Sequence, residues 1–436
     1  MTLAKIFTIG VGILIGTALV ALIAGLTISA LIVGVLGFTL LVRRDWVPVL
    51  YNIRSLSVRK VTTGVTAGGL ALVVCVFTTV LMLSSGIKKT LAGTGSPDNA
   101  KIIRKGSQAE MQSGLLPEQL RLLSADPGVA VGKDGQPLAS GELVVLIFAL
   151  REGAKDDSQG TNINVRGVGP KGLELHPPLS IDGRMFTPGT SEIVIGKGLN
   201  RRFQGMTLGG TVHFARRDWT VVGVMNQGGS AYDSEVWGDI EQFEDAFQRR
   251  PAFSSITLKL KDRDALKVLT QRIAGDPQLT TMEVKSEIGY WQGQSEQFSG
   301  FVTYLGMFMA FIFAFGAILG AMITMYAQVA ARTREIGTLR AMGFRRRAVL
   351  VSFVIESMLL SMASGGLGIA AASLWQFGSF STMNFQSFSE VTFSFHLSPL
   401  IVAASLGFAT VMGYAGGLLP ALRASRMPIV QATRGG

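Results

Sequence analysis

Cysteine occurs once in 436 residues, at Cys75, and histidine three times, at His176, His213 and His396. One cysteine permits no internal disulfide and no thiolate metal cage. The histidines are scattered and no HExxH pairs two of them on a helix face, so a zinc hydrolase of that kind is not encoded. Charge is scarce as well: Asp, Glu, Lys and Arg make up 16% of the chain, against roughly 25% in ordinary soluble domains. Gly196-Lys197 follows a strand-like run, but Gly198 comes next and the GxxxxGK[ST] spacing of a phosphate-binding loop is missing. No nucleophile sits in a motif with a base. These absences describe a chain that is not an enzyme and binds no cofactor of its own.

What fills the sequence instead is hydrocarbon. It is 48% hydrophobic, with a mean hydropathy of +0.40. Long apolar runs extend over Ile6–Val42, Val61–Ile87, Phe298–Ala331, Ala348 to about Phe380, and Leu397–Leu422. A helical span needs about 20 residues, so every run qualifies. The first, at 37 residues, would form a helix of roughly 55 Å against a hydrocarbon core of ~30 Å. A single tilted span is one reading; two short spans turning near Ala24-Gly25-Leu26-Thr27 fit the length better. The run is far longer than the apolar part of a signal peptide.

Charge sets the orientation. Arg43–Lys60 carries five basic residues and one acid, and Arg332–Arg347 carries six arginines and one acid, Glu335. The tail adds Arg423, Arg426 and Arg434, whereas 381–396 contains no Lys or Arg. The positive-inside bias places the first three segments in the cytoplasm and the last outside. The segment Lys88–Glu296 holds 25 basic and 25 acidic residues, so the whole formal charge of +11 belongs to the membrane portion. The basic balance therefore reports topology and lipid contact rather than nucleic acid.

The expected order is an apolar hairpin (1–42), a cytoplasmic basic segment (43–60), a first core span (61–87) and an extracytoplasmic domain (88–297). A second span (298–330), a cytoplasmic loop (331–347), a third span (348–380), an extracytoplasmic loop (381–396), a fourth span (397–422) and a cytoplasmic tail (423–436) follow. The external domain reads as α+β. "KIIRKG", "PEQLRLLSADP" and "ELVVLIFAL" give strand, helix, strand, and "SSITLKL", "DRDALKVLTQRIAG" and "MEVKS" repeat that order. Two βαβ-like halves, distant in sequence, are expected to close into one lobe, with a β-rich lobe inserted at about 181–240.

Two features of the spans and one of the loop invite a role. In "TREIGTLRAMG", Ile336, Leu339 and Gly343 share a face if the stretch is helical, and Arg332 and Glu335 are neighbours at i, i+3. Spacing alone leaves an interfacial helix on anionic lipid and a protein-docking helix equally open. Glu356, in "FVIESMLL", is the ionisable side chain inside the third span. Burying it costs several kcal/mol unless it is paired; it reads either as a proton or substrate site or as an interhelical hydrogen bond that fixes packing. Gly316 and Gly320 form a GxxxG that permits close helix packing.

"RTREIGTLRAMGFRRRAVLVSFVIESMLLSMASGGLGI" resembles the signature of the FtsX-like, MacB-type (type VII) ABC transporter permeases. "LYNIRSLSVRKVTTGVTAGGLALVV" is similar to that family's approach to its first core helix, and "GYAGGLLPALRASRMPIVQATR" to its closing segment. "IDGRMFTPGTSEIVIGKGLNRRF" and "WTVVGVM" resemble its periplasmic core. The resemblance implies a dimer, identical or paralogous, with four core spans per subunit in the bacterial inner membrane. It implies that Arg334, Glu335, Ile336, Gly337, Leu339, Arg340 and Gly343 form a coupling helix that docks on a pair of separate ABC ATPase subunits, which carry ATP and Mg. A periplasmic adaptor or acceptor protein is a further expected partner. The implied activity is mechanical export or extraction of amphiphiles. The alternative within the family is a relay that activates a cell-wall hydrolase without transport. The first 42 residues depart from the family pattern, and no ATPase domain is evident in the sequence.

Overall fold

The computed structural model describes residues 60–427 apart from 250, 251, 263 and 385. The hairpin expected at 1–42, the basic segment before Lys60 and the end of the tail lie outside the described residues. Two compact units result. One combines the first part of the opening helix with the later long helices; the other comprises Ser84–Gly300 with Phe377–Phe395.

In the helical unit, α1 (Lys60–Ala92), α6 (Glu287–Ala331), α8 (Arg346–Ser373) and α9 (Pro399–Arg426) are each long and apolar enough to cross a membrane. α9 starts where Ser398 accepts from the Ile401 N–H at 3.3 Å and Pro399 fills the first helical position, which needs no donor. Between α6 and α8 lies the short α7 (Thr333–Ala341). Phe77 of α1 stacks on Phe408 of α9 at 4.3 Å, and Thr78 donates to Ser405 at 2.9 Å. Such a polar link holds helices together where lipid supplies no hydrophobic drive.

α8 and α9 meet through small residues. Ser357, Ser361, Ser364, Gly365 and Gly368 recur at helical spacing on α8, and Ala409, Gly413, Gly416 and Gly417 on α9. A Cβ at Gly413 or Gly417 would overlap the Ser361 or Ser357 hydroxyl, and one at Gly368 would lie 2.5 Å from the Ala71 carbonyl oxygen of α1. The backbones approach as closely as these residues allow.

The second unit is a mixed sheet with helices against it. Its strands are β1 (Asn99–Arg104), β2 (Ala139–Leu150), β3 (Gly160–Val168), β4 (Ser180–Gly183), β5 (Glu192–Gly196), β6 (Thr211–Phe214), β7 (Arg217–Asn226), β8 (Glu235–Asp239), β9 (Ser255–Lys259) and β10 (Met282–Ser286). Its helices are α2 (Pro117–Ser124), α3 (Pro170–Leu175), α4 (Ile240–Ala246) and α5 (Asp264–Gly275). The hydrogen-bonded order is β10-β1-β9-β2-β3-β8-β5-β7-β4, with β6 on β7. The first four strands form the split βαβ arrangement, with β1 antiparallel to both β9 and β10. Leu123 of α2 and Leu269 and Ile273 of α5 pack there with Ile102, Ile256 and Leu258. A second apolar cluster joins Ile163, Ile193, Val221, Trp219 and Val236 across β3, β5, β7 and β8. β3 lies before the expected boundary at 181, yet it pairs in parallel with β8 and belongs to this second group.

β2 serves both groups. Ala139–Glu142 pairs with β9 and Leu143–Leu150 with β3. Its apolarity, "LVVLIFAL", suits a strand covered on both faces.

Two segments differ from expectation. α6 begins at Glu287 rather than Phe298, because "EIGYWQGQSEQ" is helical without being apolar and hydropathy reports only the apolar part. Residues 381–396, expected as a loop, contain most of a hairpin of β11 (Ser379–Asn384) and β12 (Ser389–Ser394), with Val391 and Phe393 buried. Buried Glu390 joins that hairpin to the sheet, accepting from Arg151 and from Arg202 at 2.7 Å each.

Candidate functional site

The loop between α6 and α8 is built around a break at Arg332. Its backbone (φ −108°, ψ 16°) leaves the helical range, so α6 ends at Ala331 and α7 starts at Thr333. Glu335 lies in the first turn of α7 and Arg340 in the last, the arrangement that suits the helix dipole. Gly343 closes the helix at φ +98°, a left-handed position that favours glycine. The Phe344 N–H reaches the Leu339 carbonyl at 3.2 Å and the Gly343 N–H reaches Arg340 at 3.2 Å, a Schellman closure.

The seven residues expected on a docking face are therefore on one short helix and its cap, but they divide between two sides. Ile336 is 1% exposed and packs with Met325, Val329, Val349, Phe353, Ala421 and Ala424; Gly337 is buried beside it. Arg334, Glu335 and Gly343 are exposed, while Leu339 and Arg340 are half-buried. The Arg340 guanidinium donates to the Ser425 carbonyl at 3.0 Å, at the end of α9. The expected common face of Ile336, Leu339 and Gly343 fails at Gly343 because the helix stops at Ala341.

Glu356 of α8 is 2% exposed and accepts from Arg332 Nη1 at 2.8 Å. Arg332 Nε donates to Glu335 at 3.0 Å, and the guanidinium lies 5.1 Å from the centre of the Phe353 ring. Of the two readings of Glu356, this geometry is that of an interhelical polar link. The Arg332–Glu335 contact is the i, i+3 neighbour pair expected from the sequence, whereas the link from Arg332 to Glu356 was not foreseen. The signal that points to that link is positional: Arg332 is the first charge after the apolar run of α6, and the next apolar run contains a lone acid.

Among the described residues nothing packs on Gly316 and Gly320: a Cβ at either would meet none of them within 4 Å. They line an open apolar groove of about 540 Å³ between α1 and α6, with Gly69, Leu72, Phe313 and Ala321.

In the α/β unit, sequence reasoning missed a buried ionic cluster at the point where β2 passes from one strand group to the other. Arg166 of β3 is fully buried and donates to Glu110 (2.9 and 2.9 Å), Glu142 (2.6 Å) and Glu235 (2.7 and 2.9 Å). Lys101 of β1 lies 2.8 Å from Glu110 and 3.4 Å from Glu142. Burial by itself would raise the Glu110 carboxyl, but Arg166 and Lys101 outweigh it and hold it at about 2. Burial likewise opposes ionisation of Glu142, and Lys101, the neighbouring His176 and Arg166 hold it well below the usual range. His176 lies 3.3 Å from Glu142 and 3.6 Å from Glu287. Burial would lower its imidazole; Glu287 and Glu142 prevail and raise it.

Glu287, the first residue of α6, is anchored here. It accepts from the Ser96 N–H (2.9 Å), Asn99 Nδ2 (2.9 Å) and Tyr232 Oη (2.7 Å). These partners come from two separate parts of the unit, the turn into β1 and the segment before β8, so the start of the long helix is fixed to it by hydrogen bonds.

A family model of the FtsX-like permease C-terminal region matches residues 307–429, and one of the MacB-like periplasmic core domain matches residues 63–275. The chain belongs to the FtsX-like, MacB-type permease family. The four apolar helices among the described residues and the mixed α/β domain suit a MacB-like ABC transporter permease. The macrolide export ATP-binding/permease protein MacB of Bdellovibrio bacteriovorus is 25% identical over 416 residues, covering 87% of this chain and 60% of its own length. MacB of Brucella melitensis is 31% identical over 220 residues, 46% of this permease chain and 30% of its own length. This chain thus spans less than two thirds of either relative. The solved periplasmic region of MacB from Actinobacillus actinomycetemcomitans aligns at 16% identity with a TM-score of 0.34, covering 46% of this chain and 94% of its own.

Proposed function

We propose that this chain is the membrane subunit of an ATP-driven export or extraction machine of the bacterial inner membrane. In this reading four core spans and the hairpin at 1–42 cross the bilayer, α7 and the basic segments face the cytoplasm, and the α/β unit stands outside as two lobes. A pair of ABC ATPase subunits binds ATP and Mg and docks on α7. A second permease subunit, identical or paralogous, packs along the groove beside Gly316 and Gly320. Nucleotide-driven closure of the ATPases pushes the two α7 helices, and the spans carry that motion to the external lobes.

The observation that carries the reading is α6. It is one helix of 45 residues from Glu287 to Ala331, about 68 Å long at ~1.5 Å per residue, more than twice the ~30 Å hydrocarbon core. Its first residue is fastened in the α/β unit by three hydrogen bonds and its last adjoins the break before α7. A continuous helix transmits displacement along its axis without a hinge. On α7, Arg334, Glu335 and Gly343 face outward for docking, with Leu339 and Arg340 at the margin and Ile336 and Gly337 supporting from beneath. The substrate class is amphiphilic: lipid, lipoprotein, peptide or drug, handed to a periplasmic adaptor or acceptor. The relatives' designation as macrolide exporters supports the drug end of that range.

The test pairs the chain with its ATPase in lipid nanodiscs and introduces Arg334→Glu, which reverses an exposed charge without touching the core. Co-purification of the ATPase is expected to fall about tenfold, together with stimulated hydrolysis. Undiminished association would refute docking on this face. ATP-dependent activation of a cell-wall hydrolase, with no amphiphile released from reconstituted vesicles, would move the chain to the signalling relay.

A further inference from the structure

Of the six arginines in the loop, five keep their side chains partly or fully in solvent, and Arg332 is buried, at 4% exposed. It sits at the one residue where α6 ceases to be α7. The backbone bends there (φ −108°, ψ 16°), although the Arg332 N–H still reaches the Gln328 carbonyl at 3.1 Å and the Arg332 carbonyl accepts from the Ile336 N–H at 3.0 Å, so the joint is a one-residue bend in a continuing hydrogen-bond ladder. The side chain at this bend is fastened to a third helix: Arg332 Nη1 meets Glu356 of α8 at 2.8 Å, its Nε meets Glu335 of α7 at 3.0 Å, and Phe353 lies under its plane. The far end of α7 is held too, by Arg340 on the Ser425 carbonyl of α9 at 3.0 Å. Between these points Ile336 and Gly337 are buried.

We infer that Arg332 is a positioning residue for energy coupling: through Glu356 it locks α7 to α8, so that a push on α7 moves α6 and α8 as one body instead of bending the joint. A planar guanidinium is suited to this, because it presents several donors in fixed directions to two carboxylates and stacks on a ring as well, which an ammonium does not. The cost of burying Glu356 in a span is offset by this partner, and the location of both residues, at the junction of three helices, puts the pair on the route by which force leaves α7. The inference rests on the coupling role proposed for α7, and goes beyond it by assigning the joint rather than the docking face.

The experiment uses the full chain with its ATPase in nanodiscs and compares Glu356→Gln, Arg332→Lys and the exchanged pair Arg332→Glu with Glu356→Arg. ATPase co-purification and the KM for ATP are expected to stay within about twofold of the parent for the two conservative variants. The permease-stimulated kcat is expected to fall about tenfold in each, and the exchanged pair is expected to regain at least a third of it. Stimulation at the parent level in Glu356→Gln and Arg332→Lys would overturn the assignment. So would a lowered melting temperature with unchanged stimulation per assembled complex, which is the behaviour of a pair that only holds the fold together. If the exchanged pair fails to fold, the two conservative variants decide alone. Failure of the parent chain to bind or stimulate the ATPase would instead refute the docking proposal, so the two outcomes separate.

Discussion

Two arginines are buried among the described residues, one in each compact unit, and they are held in different ways. Arg166 spends all its donors on Glu110, Glu142 and Glu235, inside a sheet whose strands come from distant parts of the chain. Arg332 joins one buried carboxylate and one exposed one, Glu335, between helices that are neighbours in sequence. The first arrangement fixes a junction of strand groups in one geometry, because any displacement breaks several charge-assisted bonds at once. The second links the end of α6 and the first turn of α7 to the interior of α8. The same side chain closes a buried cluster between strands in one unit and links helices in the other.

The largest expected effect breaks the buried cluster. Arg166→Met removes all five donated bonds and leaves three buried carboxylates, of which Glu110 and Glu142 keep Lys101 beside them. Removing one member of a buried ionic group costs about 3–5 kcal/mol, enough to abolish a marginal fold. Trp219 and Trp237, both fully buried in this unit, report its melting by fluorescence. A loss under about 1 kcal/mol, at the level of an exposed ion pair, would show that the cluster is dispensable to the junction.

A smaller effect separates two sets of membrane glycines. Gly368→Ala places a methyl against the Ala71 carbonyl of α1, where backbone rather than a flexible side chain must yield; overpacking of this kind costs about 1–3 kcal/mol. Gly316→Ala meets none of the described residues and is expected to stay within about 0.5 kcal/mol. Thermal melts of the two variants in nanodiscs check the contrast. Equal destabilisation would mean that Gly316 is packed by something other than the described helices.

That contrast also marks how far the sequence could be read. Long apolar runs announce the membrane helices because lipid selects composition directly, and the two strand–helix–strand stretches announce the split βαβ because period and turn residues are local. GxxxG at Gly316 and Gly320 permits close approach without specifying a partner, and none of the described residues supplies one. The serines of "IESMLLSMAS" and the glycines of "MGYAGGLL" carried the same signal and do pack. The ionic cluster was illegible: Lys101, Glu110, Glu142, Arg166, His176, Glu235 and Glu287 are separated by up to 186 positions and lie in segments that balance to neutrality, so no window of sequence isolates them. The link from Arg332 to Glu356 escaped for the opposite reason, Arg332 being hidden among five similar neighbours.

The smallest effect tests whether the cluster holds a charged imidazole. His176 is buried between Glu142 and Glu287, with Lys101 opposing from β1 and the Tyr232 and Trp237 rings packed beside it. Its folded-state affinity for the proton is raised above that of an unfolded imidazole, whose ordinary value is about 6.5. A raised value means that protonation stabilises the folded unit: the contribution is complete below pH ~6.5 and is lost as pH climbs through the folded value. Glu110 acts in the opposite window, with its contribution present above its ordinary 4.5 and lost as pH falls toward about 2. The α/β unit should therefore melt at progressively lower temperature as buffer is taken from pH 6 to pH 9, and His176→Phe should flatten that slope while leaving the acid limb in place. A parent profile without slope over that range would mean that the imidazole is neutral among the carboxylates, and that Lys101 and Arg166 alone balance Glu110, Glu142, Glu235 and Glu287.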